Sequence, residues 1–476
     1  MAAVNATVEN RMTELNVESL TKLAGLIRTR RTSPVEVAEA YLQQIQKLNP
    51  TLNAIVTLAP DLMDKAKEAE ARVMSGKNLG ALHGVPVTIK DTIETAGLRT
   101  TSGSAIRAAF IPERDAPVVA RLKAAGAIIL GKSNAAEMAM DYTADNPVFG
   151  RTNNPYDLSR TPGGSSGGEA AAIASCMSPA GLGSDLAGSI RIPAHFCGIA
   201  GLKSTTGRIP GECQFPPSTG PYSLGAVIGP MARRVEDLQT LYVVLANERP
   251  SSSFSEILTR VKGSRVAWYV DDGVAPVTEE SRSAVESAAR VLAEAGMVTE
   301  ERRPPHIELG HDLWLKLFSR ASVVQLRSTY TGREQEAGGF VSWRLATAEK
   351  VAPQTLDEYI AVWMERDRLR TELLRWLEAT PLIIAPVGAT PAFKHDTQKV
   401  TVEGSTMSAF RAFSYSQTFS VFDLPVVTVA AGSSKEGLPI GVQIVGRPAA
   451  EETVLAAASI VEEALGGWQM PALVVS

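Results

Sequence analysis

Short apolar runs of strand length occur in two separate groups along this chain. The early group covers residues 85–90, 127–130 and 179–183, and the late group covers 382–386, 424–429 and 441–445. Helical patterns over 116–125 and 169–175 alternate with the early runs. Alternation of this kind lets helices bury both faces of a sheet, so the expected fold is a three-layer α/β core. For both groups to share that core, the chain must return to it after a long excursion. One domain spanning 1–476 is therefore expected, with 251–380 as an inserted, charge-rich helical part that shapes a pocket. Trp314, Trp343, Trp363 and Trp376 all fall in that insert.

The N-terminal part, about 16–75, reads as helix. Leu20, Leu23 and Ile27 share one face, and Ser33-Pro34-Val35-Glu36 has the residues of an N-cap, a first-turn proline and a capping-box glutamate. Val37, Tyr41, Ile45 and Leu48 continue that second helix, which is expected to stop at Asn49-Pro50. A third helix is expected over 62–74. Such stripes ordinarily pack on a core, although an exposed helical hairpin could serve a homodimer. The polar stretch 394–405 reads as a mobile loop.

Several function classes are disfavoured. A net charge of −4 with scattered basic residues gives no nucleic-acid footprint. Cys176, Cys197 and Cys213 lack CxxC spacing, which argues against a disulfide framework or a zinc site and fits a reducing compartment. Residues 1–14 carry no signal-like apolar block and no run is long enough for a membrane span, so a cytoplasmic protein is expected. Gly126 to Ser133 matches the P-loop pattern, but its four middle residues are apolar and strand-like rather than an open phosphate cradle. His306 and His311 are five apart, wrong for two metal ligands on one helical face. No metal or cofactor is expected.

The chemistry concentrates in two glycine-flanked serine loops and one lysine. Gly163-Gly164-Ser165-Ser166-Gly167-Gly168 is followed by Gly183-Ser184-Asp185-Leu186-Ala187-Gly188-Ser189, and Lys90 ends the first apolar run. Gly163 to Gly167 fits a nucleophile elbow, yet 153–162 before it is polar and turn-rich where that motif needs a strand. Histidines do lie downstream, at His195, His306, His311 and His395, which leaves a Ser-His-Asp enzyme as the lesser reading. A lysine can serve instead as the base if burial keeps its amine neutral. Asp91 would oppose that, but alternation along a strand sends it to the opposite face. A turn over 186–189 could aim successive N–H groups at one point, as an oxyanion hole does.

The block from Gly163 to Arg191, with Gly201-Leu202-Lys203, Gly229-Pro230-Met231 and the C-terminal run from Gly437 to Gly446, resembles the amidase signature family. That resemblance implies a mixed central sheet flanked by helices. It implies Ser189 as nucleophile, Ser165 as a bridging serine held by a cis peptide, and Lys90 as base. The amides of Leu186, Ala187, Gly188 and Ser189 would form the oxyanion hole, with Ser166, Asp185 and Arg191 as supports. Met138, Ala139, Met140 and the loops 205–222 and 394–400 are candidates for the pocket lining. Two departures stand out: Ala187 replaces a usual glycine, and Ser204 replaces a usual proline, which should alter the 205–222 loop. The implied substrates are small amides, and the chain looks similar to bacterial aryl amidases and to members that cleave carbamates (urethanes). The glutaminase component of a tRNA-dependent amidotransferase is the alternative.

Overall fold

The two groups of apolar runs meet in one sheet. The structure, a computed structural model, describes residues 15–248, 253–348, 350 and 354–475. In chain order the strands are β1 (Ile55–Leu58), β2 (Pro86–Lys90), β3 (Ile128–Ser133), β4 (Ala180–Asp185), β5 (Ala200–Lys203), β6 (Val227–Ala232), β7 (Arg265–Trp268), β8 (Val298–Glu301), β9 (Leu382–Pro386), β10 (Lys399–Val402), β11 (Ser405–Ser408), β12 (Val426–Ser433) and β13 (Pro439–Gly446). Eleven of them form a sheet of order β1-β3-β2-β4-β6-β5-β12-β13-β9-β7-β8. The early and late halves join where β5 pairs antiparallel with β12, Leu202 opposite Val427. The sheet is mixed: β2 runs parallel to both β3 and β4, and β7 parallel to both β8 and β9, while β4, β6, β5, β12, β13 and β9 pair antiparallel in succession.

Every residue of β2, β3, β4, β6, β9 and β13 is buried. A strand buried on both faces needs cover on both, which explains its unbroken apolar character in the sequence. Helices Val235–Ala246, Glu279–Glu294 and Glu451–Leu465 supply one cover, and Gly167–Ala174 with Arg191–Cys197 the other. Among the described residues no helix is long and apolar enough to cross a membrane.

The N-terminal helices follow their signals. Leu20, Leu23 and Ile27 are all buried. At Ser33 the capping box closes as expected: Glu36 N–H donates to Ser33 Oγ at 3.1 Å and Ser33 N–H to Glu36 Oε2 at 2.9 Å. The end of that helix differs, since it runs through Pro50 to Leu52. Proline in a last turn removes a single backbone donor, and Asn49 closes the end by accepting from the Ala54 and Ile55 amides, both at 2.9 Å. The 394–405 stretch is also more ordered than expected. It contains β10, which pairs with β11 in a hairpin. The 251–380 segment is not purely helical, because β7 and β8 extend the far edge of the sheet. The signal-peptide reading of residues 1–14 falls outside the described residues.

Arg233, just past β6, fastens the N-terminal part to this sheet. Its guanidinium is buried and donates to the carbonyls of Ile173, Ser178, Asn16 and Glu18 at 2.8–3.1 Å. Arg233→Met would take a donor from each of those carbonyls, and one left buried without another donor costs about 1–3 kcal/mol. The expected outcome is a clearly lower Tm together with earlier cleavage of the N-terminal helices in limited proteolysis. An unchanged Tm and cleavage pattern would contradict this account of how the N-terminal part is attached.

Candidate active site

Lys90 and Asp185 are the last residues of β2 and β4, strands that run parallel side by side. The carboxyl ends of such strands are where open α/β sheets place their ligand crevices. Lys90 is fully buried, with Nζ 2.6 Å from Ser165 Oγ and 2.9 Å from Ser184 Oγ. No carboxylate lies within ion-pair distance of it among the described residues. Burial therefore dominates and lowers its pKa to about 7, against the opposing pull of Asp185 and Glu169. Asp91 faces away, as strand alternation requires, and accepts from the Thr101 amide and hydroxyl at 3.0 and 2.5 Å.

The first serine loop is compact because its glycines let backbone approach backbone. A Cβ at Gly164 would lie 2.2 Å from the Thr143 carbonyl oxygen, and one at Gly168 would lie 2.4 Å from that of Asn134. The Gly164–Ser165 peptide is cis. The next residue, Ser166, precedes helix Gly167–Ala174. Its N–H donates to the Ser189 carbonyl at 3.1 Å, and its Oγ accepts from Ser184 N–H at 3.3 Å. Lys90, Ser165 and the Ser189 segment are thus brought together. The Ser189 hydroxyl has no protein hydrogen-bond partner among the described residues, and Ser189 retains 7% exposure.

The turn after β4 is folded around a buried ion pair. Arg191 donates to both Asp185 oxygens, from Nη2 at 2.8 Å and Nε at 2.9 Å, while the same carboxylate accepts from Gly188 N–H at 2.9 Å and Ile190 N–H at 3.1 Å. Burial alone would raise the pKa of Asp185, but Arg191 and these donors hold it down to about 2. The Gly188 amide, expected in the oxyanion hole, is therefore already taken by Asp185. Among the described residues the amides of Leu186, Ala187 and Ser189 have no protein acceptor, while the four carbonyls of the turn are all engaged. Trp314 Nε1 donates to Leu186 O at 2.9 Å, Tyr142 OH to Ala187 O at 2.8 Å, Ile192 N–H to Gly188 O at 2.7 Å, and Ser166 N–H to Ser189 O. The turn thus presents three amides in one region.

The candidate lining residues sit at different depths. Met138 is core, packed with Leu326, Tyr330 and Val341, while Ala139 and Met140 are half-buried. They stand close to the first serine loop, since Ala136 N–H donates to Ser165 O at 3.2 Å. From the 205–222 loop Phe215 joins this cluster. At the start of that loop the Ser204 hydroxyl is buried without a partner. The 394–400 loop lies against the 157–161 segment, with Lys394 bridged to Arg160. Nothing in the residue order singles out Ser184, Tyr142 or Gln417. Ser184 sits inside the second serine motif, but its type does not separate it from a structural strand serine. Tyr142 stacks on Phe410 at 5.2 Å, and Trp314 lies 5.1 Å from the same ring, so an aromatic wall flanks the turn.

Competing motifs resolve structurally. Lys132 of the P-loop match is buried in β3 and donates to the Ile93 carbonyl and to the hydroxyls of Thr95 and Thr100. His195 is held by structure on both sides, its Nδ1 accepting from Gly441 N–H at 2.7 Å and its Nε2 3.0 Å from Thr390 O. No cluster of three His, Cys, Asp or Glu is arranged for a metal among the described residues.

Comparison with known proteins gives the family of the chain. The Amidase family profile matches residues 36–455. A glutamyl-tRNA(Gln) amidotransferase subunit of Carboxydothermus hydrogenoformans is 33% identical, covering 94% of this chain and 98% of that protein. Human fatty-acid amide hydrolase 2 is 30% identical over 94% of this chain and 89% of its own length. A bacterial aryl acylamidase of the amidase signature family superposes with a TM-score of 0.86 at 26% identity, covering 96% of this chain and 98% of that one. The chain belongs to the amidase family. It is an amidase-signature hydrolase of amide C–N bonds.

Arg191→Leu should leave the Asp185 carboxylate buried and unpaired, at a cost of about 3–5 kcal/mol. Chemical denaturation should show that loss, and a variant as stable as the parent would mean the pair does not hold the turn.

Proposed function

We propose that the chain hydrolyses amides and carbamates through Ser189, Ser165 and Lys90. The observation that carries this reading is the 2.6 Å contact between Ser165 Oγ and an amine that burial keeps near half-neutral at pH 7. A neutral amine has one lone pair and two N–H donors. The lone pair takes the Ser165 proton while Ser184 accepts one N–H. Ser165 in turn takes the proton of Ser189 as its oxygen attacks the carbonyl carbon. The developing oxyanion meets the amides of Leu186, Ala187 and Ser189, which need no reorganisation to receive it. The same relay run backwards protonates the leaving nitrogen, so that the C–N bond breaks to release a neutral amine. Water then attacks the acyl-enzyme along the same path. A carbamate offers an equivalent carbonyl and amine, and water would release from its alkoxycarbonyl-enzyme a carbonic acid monoester that breaks down to an alcohol and carbon dioxide. The aromatic wall of Tyr142, Phe410 and Trp314 favours aryl groups beside that carbonyl.

Ser189→Ala should lower kcat/KM by about 10⁴-fold or more, as loss of a covalent nucleophile does, and should abolish the acyl-enzyme in intact-mass spectra. The pH profile follows from the sign of the Lys90 shift. The amine acts as a base only when neutral, and its neutral fraction grows as pH rises through about 7. Where chemistry limits turnover, kcat/KM should climb about tenfold per pH unit below that value and level off above it. A profile flat across neutrality would remove Lys90 from the role.

A second reading has support in the amidotransferase components among the relatives. A glutaminase component would form its acyl-enzyme from glutamine by the same relay and pass ammonia to a partner. Purified chain tested alone against 4-nitroacetanilide, ethyl phenylcarbamate and glutamine separates the two. The hydrolase reading expects aniline release without a partner. Turnover of glutamine alone, and only with added partner proteins, would replace it.

A further inference from the structure

Two side chains one helical turn apart reach the turn of residues 186–189 from its carbonyl side, and no step of the proposed reaction uses them. Trp314 donates directly to Leu186 O at 2.9 Å. His311, on the same helix Gly310–Trp314, starts a chain of three hydrogen bonds. His311 Nδ1 lies 2.5 Å from Gln417 Oε1, Gln417 Nε2 donates to Tyr142 OH at 2.9 Å, and Tyr142 OH donates to Ala187 O at 2.8 Å. Gln417 also donates to Phe410 O at 2.8 Å, so its amide is used on every side and its oxygen must face His311. The Tyr142 hydroxyl then has one remaining proton, which goes to Ala187.

A trans peptide carries its C=O and the following N–H on opposite sides. Holding Leu186 O toward Trp314 therefore turns the Ala187 N–H away from it. The 187–188 peptide is fixed twice, by Tyr142 on its oxygen and by Asp185 Oδ1 on the Gly188 N–H at 2.9 Å. The supporting helix is close for a sequence reason. A Cβ at Gly310 would lie 2.3 Å from Thr418 Oγ1, so only glycine lets this helix seat against Ser414–Val421, which carries Gln417.

We propose that His311 and Trp314 are positioning residues for the oxyanion turn: Trp314, through Leu186 O, aims the Ala187 amide at the substrate oxygen, and His311, through Gln417 and Tyr142, fixes the adjoining 187–188 peptide against which that amide is held. This rests on the reading of Ser189 as nucleophile and adds to it a role for the inserted segment. The insert does more than cover the pocket. It sets the direction of an oxyanion donor, so its contribution grows as negative charge develops on the carbonyl oxygen.

Trp314→Phe and Tyr142→Phe test the proposal in the full-length chain. Each removes one donor and keeps a ring for the contacts with Phe410. With 4-nitroacetanilide, each should lower kcat by about 10- to 100-fold, the scale expected for a small misplacement of a catalytic group, while KM changes less than twofold. Binding of trifluoroacetophenone, which forms a hemiketal oxyanion on the nucleophilic serine and is read by fluorine NMR, should weaken by the same factor as kcat. A fall in kcat with undiminished trifluoroacetophenone binding, a rise in KM alone, or unchanged kinetics in two variants with parental Tm would each overturn the proposal. Absence of the hemiketal from the parent enzyme, or its persistence in Ser189→Ala, would instead strike the nucleophile assignment on which the proposal rests.

Discussion

The site depends on one buried ion pair, Asp185 with Arg191. A guanidinium taken out of water must have its donors satisfied in fixed geometry, or the desolvation cost goes uncompensated. Arg191 meets this by gripping Asp185 with Nε and Nη2 and by donating also to Ser416 O, Gln443 Oε1 and Ser420 Oγ at 2.7–2.8 Å. Those partners come from the end of β4, from helix Ser414–Val421 and from β13. Satisfying a single side chain thus fixes three elements that are remote in sequence, and the turn carrying Ser189 is what lies between the two charges.

The same pair accounts for the state of Lys90. A lone carboxylate near a buried lysine would keep the ammonium charged. Here Asp185 has its negative charge matched by Arg191, so its pull on Lys90 is weakened and burial prevails. Glu169 behaves in a parallel way. It is fully buried beside the first serine loop, accepts from the hydroxyls of Thr88 and Ser133, and burial raises its pKa to about 7. Its capacity to hold Lys90 as a cation is reduced accordingly. A buried amine with a pKa near 7 thus follows from how the nearby anions are occupied.

Much of this was legible from residue order. Apolar runs announced β2, β4, β9 and β13, because strands covered on both faces leave little freedom in composition. Glycine spacing announced the serine loops, because Gly164 and Gly168 stand where a Cβ would strike backbone. What stayed hidden was the carbonyl side of the 186–189 turn. Tyr142, Trp314 and Gln417 act through single hydrogen bonds to groups that lie more than a hundred residues away in two of the three cases, and no periodicity encodes such a partner. The hydrogen bond of the Gly188 amide to Asp185 was hidden for the same reason, since it follows from where Asp185 points. Pro50 misled because a breaker in a final turn costs one donor, and a neighbouring asparagine can close the helix around it.

In the proposed reaction, the reacting groups and the groups that would aim them come from different parts of the chain. Lys90, Ser165 and Ser189, with Ser184 beside the amine, lie on the early strands and loops, where each is confined by neighbouring strands or by glycine contacts. Trp314, Gln417 and Phe410 belong to later segments that also form the aromatic wall beside the turn. On that proposal the chemistry is held by a packed sheet end, whereas the aromatic wall and the carbonyls of the 186–189 turn share the side chains of Trp314 and Tyr142. A substitution that reshapes the wall at either residue would then alter the turn as well as substrate fit. Among the described residues, Met140 and the 205–222 loop make no hydrogen bond to a carbonyl of the turn, so on the proposed reading substitutions there would leave the oxyanion geometry intact.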